Sequence, residues 1–179
     1  MLRVRQLILC RDAARYWYDG EGSVGCDDAC HTHERFEAHV HRDRVALPDA
    51  TVITAVSFDD LAPYQRRKRP DFGLYLDPRW QPPWPHELVD WPDFGVPRDA
   101  QQLRAQLFSL LDRARAGQSV EVGCIGGHGR TGTALACLAI ITGVPAGESV
   151  EWVHRNYCDA AVEDLRQMEF AASFTGDRR

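Results

Sequence analysis

Apolar and polar positions change their period along this chain, giving short strand patterns early and helical patterns late. Arg3 to Cys10 (R-V-R-Q-L-I-L-C) and Thr51 to Phe58 (T-V-I-T-A-V-S-F) are short, β-branched and bounded by polar residues, which predicts two strands. Phe72 to Leu76 predicts a third. From Asp77 to Pro97 the chain carries six prolines and three tryptophans, which excludes a regular helix or a central strand and predicts a long structured loop. Asp99 with Gln102 forms a capping box ahead of a helix whose apolar residues Leu103, Leu107, Leu110, Leu111 and Ala114 recur at helical spacing, ending at Gly117. Ser119 to Cys124 then predicts a short strand, and Thr131 to Thr142 a buried helix closed by Gly143 and Pro145. Helices are also predicted over 148–157 and 162–174. No internal repeat and no second-domain boundary is visible. The expectation is therefore an α/β fold in a single domain over residues 1–179, with a central, largely parallel sheet flanked by helices. Any ligand site then falls at a strand's C-terminal end.

Composition narrows the function classes. At 179 residues the chain is long enough to bury a core without disulfides. A formal charge of -5 argues against nucleic-acid binding, since neutralising many phosphates needs a basic excess, so an anion site has to be local. Met1 to Cys10 alternates arginine with apolar residues and lacks the long apolar stretch of a signal peptide. Ala134 to Ile141, the most apolar stretch, is too short to span a bilayer. These features predict a soluble, cytoplasmic protein with no membrane partner. In that compartment the six cysteines (Cys10, Cys26, Cys30, Cys124, Cys137, Cys158) read as reduced thiols, free for one to act as a nucleophile.

The chemistry concentrates in Cys124-Ile125-Gly126-Gly127-His128-Gly129-Arg130-Thr131, where a cysteine precedes an arginine by six positions with three glycines between. Glycines let successive backbone N–H groups turn inward around an oxyanion, and a helix starting there aims its positive end at the same point. A cysteine in that setting is favoured as a thiolate. Arg130 grips two phosphate oxygens through its planar fork, as lysine does not. Thr131 is a hydroxyl donor to the sulfur. The bland alternative for Cys124 and Arg130 is a tight strand-to-helix turn around a buried cysteine. A second segment weighs against it: Trp91-Pro92-Asp93-Phe94-Gly95-Val96-Pro97 on the proline-rich loop.

Together the two segments resemble the protein tyrosine phosphatase superfamily, whose phosphate loop reads C-x5-R-[ST] and whose movable acid loop reads W-P-D-x-G-x-P. The resemblance implies a phosphate monoester hydrolase of tyrosine or dual-specificity type acting on a phosphorylated protein or peptide through a phosphocysteine on Cys124. Residues 125–130 bind the phosphate, Asp93 is the general acid, and no cofactor or metal is required. Ala161-Val162-Glu163-Asp164-Leu165-Arg166-Gln167 is similar to the family's late loop, which makes Gln167 the candidate for positioning water. The matched segments run from Trp91 to Phe170. One departure is Gly123, where relatives usually carry histidine. Another is His128 in place of a more usual apolar residue, which suggests a titratable ring at the pocket mouth. Rival readings are a phosphatase of a non-protein ester (phosphoinositide, nucleotide or RNA 5′-phosphate) and a phosphate-binding module without turnover.

Three features lie outside that constellation. Cys26, Cys30, His31 and His33 crowd soft and borderline ligands together, but the spacing is no standard zinc motif and favours a polar loop, with a regulatory disulfide of Cys26 or Cys30 as a further alternative. Gln65 to Arg69 holds four consecutive cations, read as a solvated loop or an attraction for a phosphorylated partner. Tyr75, Trp80, Trp84 and Trp91 read as packing, or as a clamp for an aromatic ring if they border the pocket.

Overall fold

The computed structural model describes residues 3–5, 8–10, 17–18, 24–25, 33–35, 39–57 and 69–178. The chain forms two compact units, Met1–His41 and Arg42–Arg179. In the first, six short strands pair antiparallel in nested fashion. β1 (Arg3–Arg5) pairs with β6 (His39–His41), β2 (Ile8–Cys10) with β5 (His33–Arg35), and β3 (Trp17–Tyr18) with β4 (Val24–Gly25). The strand expected over 3–10 is thus two described strands, β1 and β2. Cys26, Cys30 and His31 lie outside the described residues, as do residues 65–68 of the basic run. His33 opens β5 opposite Cys10.

The second unit is α/β. Its sheet runs β10-β9-β11-β8-β7, where β7 is Arg44–Ala46, β8 Val52–Ser57, β9 Phe72–Tyr75, β10 His86–Leu88 and β11 Val120–Cys124. The first four in that order are mutually parallel, and only the edge strand β7 is antiparallel. β10 is a strand inside the proline-rich stretch. It sits on the sheet edge, where missing N–H donors are tolerated, so proline density excluded a central strand without excluding this one.

β11 is the buried axis of the sheet, and every one of its residues is buried. Val120, Val122 and Cys124 face one cluster with Leu74, Ile53 and the leucines of α1 (Ala100–Arg115). Asp99 caps α1 by accepting from the Gln102 amide at 2.8 Å. Leu103, Leu107, Leu110 and Leu111 are completely buried on its inner face. At its end the Arg113 guanidinium stacks 4.0 Å above the Phe72 ring, joining the last turn to β9. α2 (Gly129–Ile141) is buried from Gly129 through Ala139, as expected of a helix wrapped by α1, α3 (Ser149–Asn156), α4 (Leu165–Ser173) and the sheet. On the opposite face Tyr75, Trp80 and Trp84 form a second, smaller cluster. Tyr75 and Trp80 meet edge to face at 6.1 Å, and Trp84 Nε1 donates to the Tyr75 hydroxyl. Trp91 joins the main core instead. All four rings are buried and serve packing, so none is displayed as a clamp.

Two helix starts differ from expectation. α2 begins at Gly129, so Gly129 and Arg130 belong to its first turn. The N–H groups of a first turn have no partner within the helix, and loop and helix amides here form one continuous set. α4 begins at Leu165 because Asp164 accepts from the Gln167 amide at 3.1 Å as its cap. Val162, with φ 61°, cannot be helical.

Gly123 also finds its reason in the sheet. A Cβ there meets Val56 Cγ2 at 2.4 Å and the Val56 carbonyl oxygen at 2.5 Å, so no side chain fits between β11 and β8. Histidine at this position is excluded by backbone, not merely absent. Gly123→Ala should lower stability by about 1–3 kcal/mol, the usual cost of overpacking a tight interior, read as a fall in the urea midpoint with an unchanged m-value.

Candidate active site

Cys124 ends β11, 3% exposed, opposite Ser57 of β8. The chain then turns through residues 125–128 into α2. Gly127 adopts φ 73°, a left-handed conformation that lets the loop reverse. Its carbonyl accepts a short hydrogen bond from the Tyr157 hydroxyl, and a Cβ on it would come within 2.9 Å of Ser57. The loop is thus clasped between β8 and the end of α3. Thr131 Oγ1 donates to Cys124 Sγ at 3.1 Å, bridging the two ends of the loop as its position suggested.

Arg130 is 3% exposed, yet each of its terminal nitrogens is engaged. Nη1 donates to the Leu76 carbonyl at 3.2 Å, to Asp77 Oδ2 at 3.2 Å and to the Trp91 carbonyl at 3.0 Å. Nη2 lies 3.2 Å from Asp93 Oδ1. One guanidinium therefore joins the end of β9, the acid loop and the first turn of α2. Asp77 is the partner that makes this possible. It also receives Arg79 through Nε at 2.8 Å and Nη2 at 2.6 Å. Burial pushes the Asp77 carboxyl up, but the hydrogen bonds of Arg79 and the charge of Arg130 outweigh it and lower the carboxyl to about 2. Sequence reasoning missed Asp77. The signal available was its place just past a parallel strand, the end where such sheets build sites.

The 91–97 loop is pinned from several sides. Trp91, 1% exposed, donates through Nε1 to the Gly95 carbonyl at 2.7 Å and packs edge to face on Phe170 of α4 at 6.0 Å. The Gly95 amide closes a turn onto the Pro92 carbonyl. Phe94 between them has φ 49°, an uncommon conformation for a non-glycine residue, and leaves its ring exposed. Arg166 of α4 donates a short hydrogen bond to the Phe94 carbonyl. Asp93 itself remains 57% exposed while touching buried Arg130.

The 161–167 segment brings two groups to the loop that follows Cys124. Gln167 is fully buried, and its Oε1 accepts from the Glu163 amide at 3.0 Å. That bond turns its Nε2 the other way, where this buried donor has no hydrogen-bond partner in the protein. Glu163 was part of the resembling segment but carried no expected role. Its Oε2 accepts from the Gly129 amide at 3.1 Å. Burial, then the charge of Asp93, hold its carboxyl above the ordinary range, against the pull of the Gly129 amide and Arg130. His128, expected at the pocket mouth, is 2% exposed, with its ring turned into the protein. Cys137 and Cys158 are buried, and burial pushes the Cys158 thiol up to about 11, so neither is a nucleophile at neutral pH. Among the described residues no group of three or more His, Cys, Asp and Glu is arranged to hold a metal, and no helix is long and apolar enough to cross a membrane.

Known proteins share both the sequence pattern and the fold. The family described as Swiss Army Knife protein, DSP-PTPase phosphatase domain, matches residues 93–178. Two proteins of Methanocaldococcus jannaschii are similar. Uncharacterized protein MJECL20 is 33% identical over 116 residues, which is 59% of this chain and 76% of that protein. Uncharacterized protein MJ0215 is 32% identical over 112 residues, 56% of this chain and 68% of that protein. Among solved structures, Tk-PTP in its active form superposes with a TM-score of 0.57 at 23% identity, covering 75% of this chain and 97% of that one. Kinase associated phosphatase, with its catalytic-site cysteine replaced by serine, superposes with a TM-score of 0.55 at 13% identity, covering 76% and 94%. The chain belongs to the dual-specificity, protein-tyrosine-phosphatase type and is a phosphatase of that type, and the solved structures share its fold.

Removing the Asp77 charge leaves Arg130 without its buried counter-ion, the other carboxylate in reach, Asp93, being largely exposed. Asp77→Asn should cost about 3 kcal/mol of stability at neutral pH, measured by denaturant titration. The sign with pH follows from the lowered carboxyl: the contribution is present above about pH 4 and lost as pH falls through about 2, so the difference between the two proteins should shrink on acidification.

Proposed function

We propose that the protein hydrolyses aryl phosphate monoesters, phosphotyrosine in proteins or peptides foremost, through a phosphocysteine on Cys124. The observation that carries this reading is Arg130, which reaches the acid loop at Asp93 from the same turn of helix that follows the cysteine loop. In the first step Cys124 Sγ attacks phosphorus, the S–P bond forms and the ester P–O bond breaks. Asp93 gives its proton to the departing oxygen. Arg130 and the loop amides stabilise the charge on the transferring group. In the second step water attacks phosphorus, its proton passes to Asp93, and the S–P bond breaks to release inorganic phosphate. The unpartnered Nε2 of buried Gln167 supports its assignment as the group that orients this water. The Thr131 hydroxyl, 3.1 Å from the sulfur, supports a role in stabilising it as a leaving group.

Preference for an aryl ester is supported by the apolar side chains left exposed beside the site. Phe94 is 43% exposed next to the acid, and Leu165 and Met168 are 67% and 39% exposed at the start of α4, one residue to either side of Arg166 and Gln167. An aromatic leaving group finds apolar contact there.

Cys124→Ser should release no phosphate from para-nitrophenyl phosphate or a phosphotyrosine peptide. Asp93→Ala should lower kcat by about 10²–10⁴-fold on the peptide, whose phenol leaves poorly without a proton, and by less on para-nitrophenyl phosphate, whose phenol leaves well. Equal losses on both esters contradict the role of Asp93 as acid. Faster turnover of a phosphoserine peptide or a nucleotide monophosphate than of phosphotyrosine contradicts the aryl preference and leaves the cysteine chemistry standing.

A further inference from the structure

The hydrogen bond between Glu163 and Gly129 brings a carboxylate to the loop that has to receive an anion. The Gly129 N–H opens α2 and has no acceptor within the helix, so some other group must satisfy it. In the structure that group is Glu163 Oε2 at 3.1 Å. We propose that Glu163 is the resident anion of the phosphate loop, and that an oxyanion binding there displaces it with uptake of one proton from solvent onto its carboxyl. This inference rests on reading the 124–130 loop as the phosphate cradle.

The segment carrying Glu163 is built to aim it. Val162, immediately before, is 2% exposed and has φ 61°, where a β-branched residue is a true outlier that only its surroundings hold. α2 approaches so closely that a Cβ on Gly132 would lie 2.7 Å from Ala161 Cβ and 2.9 Å from the Val162 nitrogen. On the other side the Glu163 amide is fixed on Gln167 Oε1, and Asp164 is committed to capping α4. Backbone strain is thus concentrated one residue before the only side chain of this segment that meets a loop amide among the described hydrogen bonds.

The charges around the carboxyl set the direction of the proton. Asp93 on the acid loop and Asp164 on its own segment disfavour the ionised form, and burial disfavours it most, while Arg130 and the Gly129 amide on α2 favour it. A phosphoryl group adds further negative charge beside it and takes the Gly129 donor for itself. Both changes favour the protonated carboxyl. Glu163 then works as a positioning residue that makes oxyanion binding proton-linked, distinct from the acid, Asp93.

Sulfate is a suitable probe because it stays a dianion across the pH range of interest, and Cys124→Ser as background removes the thiol. Calorimetric titration of Cys124→Ser with sulfate from about pH 8 to about pH 5 should show affinity rising by up to about tenfold per unit as pH falls, the slope of a single linked proton. In Cys124→Ser/Glu163→Gln that slope should vanish, and affinity at the alkaline end should equal or exceed that of the parent. A cooperative melt of each sample shows that it is folded. Persistence of the slope in the Glu163→Gln protein, or its loss only in Cys124→Ser/Asp93→Asn, overturns the inference, as does weaker sulfate binding at every pH after Glu163→Gln. Absence of sulfate binding in both folded proteins overturns the cradle reading itself, and this inference with it.

Discussion

The structure of this site depends on a single buried cation. Arg130 has almost no access to water, so its guanidinium must be satisfied by protein groups. They come from two separate stretches of chain, the Leu76 carbonyl and Asp77 after β9 and the Trp91 carbonyl and Asp93 of the 91–97 loop, while the arginine itself stands in the first turn of α2. Satisfying one charge therefore brings together the loop that follows Cys124 and the 91–97 loop that carries Asp93. The parallel sheet makes this possible, because β9 and β11 are neighbours and both end at the same edge.

The site is also a balance of carboxylates around that cation. Asp77, tied to Arg130 and Arg79, is held ionised far below the ordinary range and acts as a permanent counter-ion. Glu163, partly desolvated and near Asp93, is pushed the other way. Two carboxyls of similar chemistry are thus shifted in opposite directions, Asp77 down by two guanidiniums and Glu163 up by desolvation and then by a second carboxylate. Fixed charge around Arg130 is compensated at Asp77, and under the proposed reading the adjustable charge lies at Glu163. The 91–97 loop between them is held by Trp91 on Phe170 and by Arg166 on the Phe94 carbonyl, so α4 sets the pose of Asp93 as well as that of Gln167.

Much of this is legible in the sequence. Helix α1 follows its leucine spacing and its Asp99 cap, and the order strand, glycine-rich turn, helix around Cys124 is a local pattern whose physics is local too. Cys124, Arg130 and Asp93 stand in two segments that by themselves are specific enough to indicate the superfamily. What escapes sequence reasoning is tertiary. Asp77 lies 53 residues from the arginine it balances, and no periodicity announces that pairing. Glu163 is in plain view, but its meeting with Gly129 follows from a left-handed Val162 that sequence rules assign to glycine or asparagine. His128 reads as a loop residue and proves to be interior, because the turn that carries it opens directly into the most buried helix of the second unit. Gly123 looks like a missing catalytic helper; the approach of Val56 shows it to be a packing requirement of the sheet.

The central claim is that phosphate passes through the sulfur of Cys124. The most direct measurement is to quench the enzyme in denaturant during turnover of an aryl phosphate and to determine the intact mass and the modified peptide. The account predicts a fraction of the protein heavier by one phosphoryl group, with the added mass on the peptide containing Cys124 and absent from Cys124→Ser treated in the same way. Release of phosphate at full rate with no adduct at any quench time, or an adduct carried by another residue, contradicts it.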